Sequence, residues 1–354
     1  MSDSHDGREQ LNHTRDQIRA RVVGRERELT LVLAAVAADR DILLEGPPGT
    51  SKTTLLKAIT AEWGIPLVFV EGNADLTPAK LVGHHNPARV LREDYTTDNF
   101  TDGPLLEAMR SGGFLYIEEF NRAPEDTLNT LLTAMADRRI AVPRVGEIAA
   151  RATFRVIASM NPYDNIGTTR LSTSIHDRFC RLAIGYQDGT AERAIVALRA
   201  PLPDCDPALY ERLAADAVAL TRATRANQDI RQGSSVRGAI DLTLVAGQLF
   251  NLAPERTVIS RGGGLPAWGA PAPHPPRPPY PPGHVRSKGK DIGHAASPPD
   301  PAEQSYRETV YDAMIVALSG RIFLDEIVDL TPEQVLRQIW EDYYILDPAA
   351  AQPG

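Results

Sequence analysis

The stretch DILLEGPPGTSKTTLLKAI, Asp41 to Ile59, constrains this chain more than any other. An apolar strand runs directly into a glycine- and proline-rich turn, and a lysine–threonine pair then opens a helix with apolar residues at helical spacing. A tight turn that ends on a helix N-terminus collects backbone N–H groups and the positive end of the helix dipole at one point, which suits a phosphate. Gly46, Pro47, Pro48, Gly49, Thr50, Ser51, Lys52, Thr53 and Thr54 form the candidate cradle. Lys52 has the length to reach β- and γ-phosphates, and the Thr53 hydroxyl is placed to hold Mg²⁺. The position before the lysine is glycine in the general pattern and Ser51 here. Serine gives up some backbone freedom, but it is small and is expected to fit without a positive φ.

The flanks extend the same rhythm. RERELTLVLAAVAADR reads as a helix before the first strand, and PLVFVEG as a strand after the second helix. GPLLEAMRSG reads as a short helix, GFLYIEEF as a buried strand and ATFRVIASM as another strand. Behind Pro124, Leu128, Leu131, Leu132 and Met135 recur at helical spacing. Strands alternating with helices predict an α/β fold, a parallel sheet covered on both faces. From about Ala191 the strand signals stop, and helical patterns such as ALYERLAADAVALTRATRA predict a smaller all-helical lid. The expected organisation is a tail over 1–20, an α/β domain over 21–190 and a helical domain over 191–354.

GFLYIEEF ends in two adjacent carboxylates, Glu118 and Glu119. At a strand end that follows a phosphate-binding loop, such a pair suits one acid beside a metal and one base orienting a water. Asn161, at the end of ATFRVIASMN, offers a polar side chain for the same water, or a turn-forming Asn-Pro.

Composition narrows the rest. Formal net charge is −8, so no overall basic field draws nucleic acid. Cys180 and Cys205 are too few for a disulfide scaffold or a metal cage and fit a reducing compartment. No secretory signal is visible, and the apolar run Leu29–Ala38 is too short to span a bilayer, so a cytoplasmic protein without membrane insertion is expected. Leu265 to Pro301 carries twelve prolines in 37 residues. Neither helix nor sheet runs through such a segment, and a disordered insertion is expected, with a ligand for a proline-recognising groove as the alternative. No N-K-x-D guanine-reading motif occurs, which favours ATP over GTP.

VVGRERE, GPPGTSKTT, GPLLEAM, IEEFNRAPEDTLNTLLTAM, ASMNP, LSTSIHDRF and GSSVRGAID, in this order, resemble the MoxR-like AAA+ ATPases, a helix-2-insert clade near the magnesium chelatase ATPase subunit. The resemblance covers about residues 20 to 245. It implies that Val23 and Gly24 line the adenine pocket, Lys52 and Thr53 are the Walker A pair, Glu118 is the metal-orienting acid and Glu119 the Walker B base. It likewise implies that Asn161 is sensor 1, Arg237 is sensor 2, and Arg178 is the arginine finger offered to a neighbouring subunit, with Arg170 as a rival. Relatives place Asp where Glu118 stands, and the longer acid is expected to slow hydrolysis more than binding. Residues 84–101 resemble the helix-2 insert and residues 139–154 the pre-sensor hairpin, both candidates for touching a client.

The resemblance therefore implies ATP hydrolysis with Mg²⁺ in a homo-oligomeric ring, most simply a hexamer, that remodels, activates or matures a client protein. Metal or cofactor insertion with a von Willebrand factor A domain partner belongs to the same reading. A magnesium-chelatase-like motor subunit and an ATP-binding scaffold with little hydrolysis are the alternatives.

Overall fold

The computed structural model describes residues 15–19, 21–93, 99–162, 171–252 and 300–346. Five parallel strands form the main sheet: β1 (Ile42–Glu45), β2 (Leu67–Glu71), β5 (Phe114–Glu118), β8 (Arg155–Met160) and β9 (Cys180–Ala183), in the order β2-β5-β8-β1-β9. Among the described residues, six further strands make two-stranded pairs: β3 (Gly83–His85) with β4 (Phe100–Asp102), β6 (Arg139–Val142) with β7 (Gly146–Ala149), and β10 (Ile230–Gln232) with β11 (Phe323–Leu324).

Both faces of the main sheet are covered, which is why its strands read as near-continuous apolar runs. Successive side chains divide between the faces. Leu43, Leu115, Ile117, Val156 and Ala158 join one buried cluster; Ile42, Leu44, Phe114, Tyr116 and Ile157 join the other. Helix Glu26–Ala37 sends Leu29, Val32 and Leu33 into the second cluster, and helix Glu125–Asp137 sends Leu128, Leu131 and Met135 into the first.

Helices Gly189–Arg199, Pro207–Ala226, Val236–Leu252, Pro301–Leu318 and Pro332–Glu341 surround a third cluster. Within it the buried Asp216 carboxylate accepts from the hydroxyls of Tyr306 (2.8 Å), Tyr343 (2.9 Å) and Tyr344 (2.6 Å), so its burial is compensated. This part is not purely helical. The antiparallel pair β10–β11 joins segments far apart in sequence, a pairing that strands of two or three residues do not announce through periodicity.

Most of the proline-rich stretch lies outside the described residues, as does Arg170. Its last proline, Pro301, instead opens a helix: it occupies the first turn, where no N–H is needed, and the Asp300 side chain accepts from Ala302 N at 3.3 Å. Among the described residues no helix is long and apolar enough to cross a membrane.

Candidate functional site

Parallel pairing places every strand's C-terminal end on one edge of the sheet. The registers Glu71↔Glu118 and Glu45↔Met160 bring the turns after β1, β2, β5 and β8 side by side, the usual crevice for ligands in such sheets. A cavity of about 650 Å³ opens there. Pro48 to Thr54 line it with Glu118, Glu119, Asn161 and Arg237, and so do Glu71, Arg122, Arg231, Gln232, Phe323 and Glu326.

The turn before helix Lys52–Trp63 adopts φ +74° at Gly49 and +65° at Ser51. Ser51 therefore does take the left-handed conformation, contrary to the expectation from its small size, because the chain must reverse immediately before the helix. That conformation costs an L-residue about 1–2 kcal/mol. Part of the cost is offset where Ser51 Oγ accepts from Gln187 Nε2 at 3.2 Å. Gly49 is confined from above as well, since an added Cβ would stand 2.3 Å from Ser235 Oγ. The helical part thus rests directly on the loop.

Lys52 is 9% exposed, and its ammonium donates to the carbonyls of Gly46 (2.8 Å) and Pro47 (3.0 Å). Burial lowers its pKa to about 8; Glu118 and Glu119 oppose that shift, while Arg237 and Arg25 add to it. Thr53 Oγ1 donates to Glu118 Oε1 at 3.1 Å and lies 3.2 Å from Tyr116 Oη, which in turn pairs with Ser159 Oγ at 3.0 Å. Tyr116 is fully buried, and burial raises its pKa, so it stays a neutral hydrogen-bonding group. A hydroxyl and a carboxylate this close are hard oxygen ligands of the kind Mg²⁺ takes alongside a substrate's phosphates. Among the described residues no cluster of three or more His, Cys, Asp or Glu forms a metal cage, and Mg²⁺ at nucleotide sites does not require one.

Glu119 also has a positive φ, +56°, and its carboxylate pairs with Arg122 Nε at 2.5 Å. Gly72 sits against it: an added Cβ would lie 2.4 Å from the Glu119 carbonyl. The strand-end acid is thereby aimed by a tight turn with a glycine packed beneath it.

A model described as the AAA domain (dynein-related subfamily) matches residues 41–179. Protein NorQ of Paracoccus denitrificans is 36% identical over 214 residues, covering 59% of this chain and 74% of NorQ. The chain belongs to the MoxR-like AAA+ ATPase family. Its reaction is ATP hydrolysis. Two further relatives are the uncharacterized protein SH1500 of Staphylococcus haemolyticus, 30% identical with coverage of 63% and 84%, and the gas vesicle ATPase GvpN of Ancylobacter aquaticus, 29% identical with coverage of 57% and 59%.

Not every residue expected at this family's site lines the cavity. Gly46 and Pro47 contribute carbonyls to Lys52 instead, and Val23 and Gly24 lie to one side, with an added Cβ on Gly24 only 2.6 Å from Ala191 Cβ. Arg178 is exposed and donates to Ser174 O (2.9 Å) and Oγ (2.7 Å). It borders a separate cavity with Asp39, Arg40, Asp41 and Arg138. Tyr116, Arg122 and Gln187 were missed by motif reasoning. Only Tyr116, the one hydroxyl-bearing side chain in the strand Phe114–Glu118, carried a signal.

Proposed function

We propose that this chain is one subunit of a homo-oligomeric ring, most simply a hexamer, in which ATP hydrolysis remodels or matures a client protein. Arg178 carries this reading. It lies outside the cavity that holds Lys52, Glu118, Glu119, Asn161 and Arg237, so a finger from a neighbouring copy completes the site, and chemistry requires assembly. The α/β part over 21–190 supplies the sheet-edge residues, and the helical part over 191–354 supplies Arg237 and the roof.

Lys52 leaves the Gly46 and Pro47 carbonyls to hold the β- and γ-phosphates, and the turn's N–H groups cradle them. Thr53 and Glu118 would hold Mg²⁺, which when bound draws off charge from the phosphates. Glu119 accepts the proton of the attacking water, Asn161 orients that water, and Arg237 answers the phosphates from the helical side. Val23 and Gly24 flank the base. The β3–β4 pair with helix Pro87–Glu93, and the β6–β7 hairpin, are the surfaces proposed to reach the client, acting with a partner that carries a von Willebrand factor A domain.

Glu119→Gln tests the reading. The amide keeps the shape but cannot take a proton, so nucleotide stays bound while turnover falls about 10²- to 10⁴-fold. Turnover retained in purified, assembled protein would place the base elsewhere.

A further inference from the structure

Tyr116 lies two residues before Glu118 on β5, so both side chains leave the strand on the same side. Its register partner on the neighbouring strand is Ile157, and Ser159, two residues further along β8, comes up on that side as well. The ring is fully buried and meets Phe69 at 5.7 Å between centroids. Three hydrogen bonds then run in line: Ser159 Oγ with Tyr116 Oη at 3.0 Å, Tyr116 Oη with Thr53 Oγ1 at 3.2 Å, and Thr53 Oγ1 with Glu118 Oε1 at 3.1 Å. Each hydroxyl has one proton to give, and an ionised carboxylate only accepts. Thr53 gives its proton to Glu118, so its bond with Tyr116 uses the phenol's proton, and the bond between Tyr116 and Ser159 uses the serine's. Three hydroxyls ending on one pure acceptor leave a single direction for the chain.

That direction decides what is left over on Thr53, which lines the cavity. Its oxygen receives from Tyr116 and its proton goes to Glu118, so one lone pair remains. We propose that Tyr116 is a positioning residue for the metal site: its hydroxyl, backed by Ser159, holds the Thr53 hydroxyl at a second point and leaves that one lone pair for Mg²⁺. Without the phenol's donation Thr53 would be held through its proton alone, and both lone pairs would swing about that single bond. Mg²⁺ tolerates little departure from octahedral geometry, so a ligand fixed in direction binds it better than one that swings. Groups standing behind a metal's ligands commonly tune affinity in this way. A phenylalanine at position 116 would fill the same space in the sheet and supply none of it. This inference rests on the nucleotide-site reading above and adds to it a use for a phenol that touches neither nucleotide nor metal.

Calorimetric binding of ADP to the full chain, in EDTA and across a MgCl₂ titration, tests it without hydrolysis. Tyr116→Phe keeps the ring and its contact with Phe69 and removes only the hydroxyl. It should raise the Mg²⁺ concentration at half effect about tenfold and leave ADP affinity in EDTA unchanged. Ser159→Ala leaves the phenol's donation to Thr53 in place, so its shift should be smaller, at most about threefold, and it serves if the phenylalanine variant fails to fold. Thr53→Ala, which removes the ligand itself, separates the two readings. A Mg²⁺ requirement shifted in Thr53→Ala but unchanged in Tyr116→Phe overturns the positioning role and leaves the site intact, even where Tyr116→Phe melts earlier than wild type. A larger shift in Ser159→Ala than in Tyr116→Phe overturns the direction of the chain and the role with it. A requirement unchanged in Thr53→Ala would take Thr53 away from the metal and overturn the site reading and the inference together.

Discussion

On the phosphate-loop side, Lys52 is almost enclosed, and its ammonium is held by two carbonyls of its own turn; on the other side, Arg178 is exposed and leans on Ser174. Both cations are assigned to the same phosphoryl group, yet they are built in opposite ways. Enclosure sets Lys52 in place before substrate arrives, at the cost of desolvation and a depressed pKa. Exposure leaves Arg178 solvated; in the ring proposed above, its contribution would wait for a neighbour whose surface strips that water away. On the proposed reading, the cation that acts within its own subunit is set in place by the fold, and the one that crosses an interface is completed by assembly.

The sharpest way to break this contrast is Arg178→Ala. Turnover should fall about 10³-fold with nucleotide binding kept. Mixing this variant with Glu119→Gln subunits should restore part of the turnover, because an Arg178→Ala site then receives an intact finger. A lack of recovery in verified mixed rings would return Arg178 to the surface arginines and leave Arg170 as the candidate. Next in size, Lys52→Ala should weaken nucleotide binding about 100-fold, roughly the 3 kcal/mol of a charge-assisted bond to phosphate. Titration by fluorescence or calorimetry would show it.

The contrast also predicts different pH behaviour. With its pKa lowered to about 8, Lys52 is half deprotonated near pH 8, and a bound polyanion must restore the proton, so affinity should be flat only well below pH 8 and approach a tenfold fall per unit above it. Calorimetry at pH 8.5 in two buffers of different ionisation enthalpy should reveal proton uptake on binding. In the folded chain itself the sign is the reverse of a salt-bridged lysine. Between about 8 and the ordinary value of 10.5 the unfolded state binds more protons, so this group's cost to stability is relieved as pH rises. Smallest of all, position 51 should favour Gly over Ala by about 1 kcal/mol in unfolding experiments, since both lack the hydroxyl and only Ala keeps the strain.

What the sequence disclosed follows the range of the forces involved. The strands from Ile42, Leu67, Phe114 and Arg155 were legible because burial on both faces leaves continuous apolar runs, and the loop was legible because its chemistry is written within a few neighbouring residues. The positive φ of Ser51 was not, since it is imposed by the geometry of the turn rather than by the side chain. Arg231, Phe323 and Glu326 reach the cavity only through the pairing of β10 with β11, and Gln187 reaches Ser51 across the sheet edge. Nothing in their local sequence marks them. The Glu118 carboxylate, long for its position, is seen in the structure within hydrogen-bonding distance of Thr53, a pairing that composition alone does not reveal.

The cavity draws its wall from residues as far apart in sequence as Pro48 and Glu326. A ribosome adds roughly 5–20 residues per second, so the loop emerges on the order of tens of seconds before its roof exists. Between the synthesis of Glu119 and that of Arg237, a nascent chain carries the phosphate cradle and both strand-end glutamates but has neither the β10–β11 cover nor Arg237. Synthesis therefore imposes its own timing: the cavity has no complete wall until Glu326 has been made.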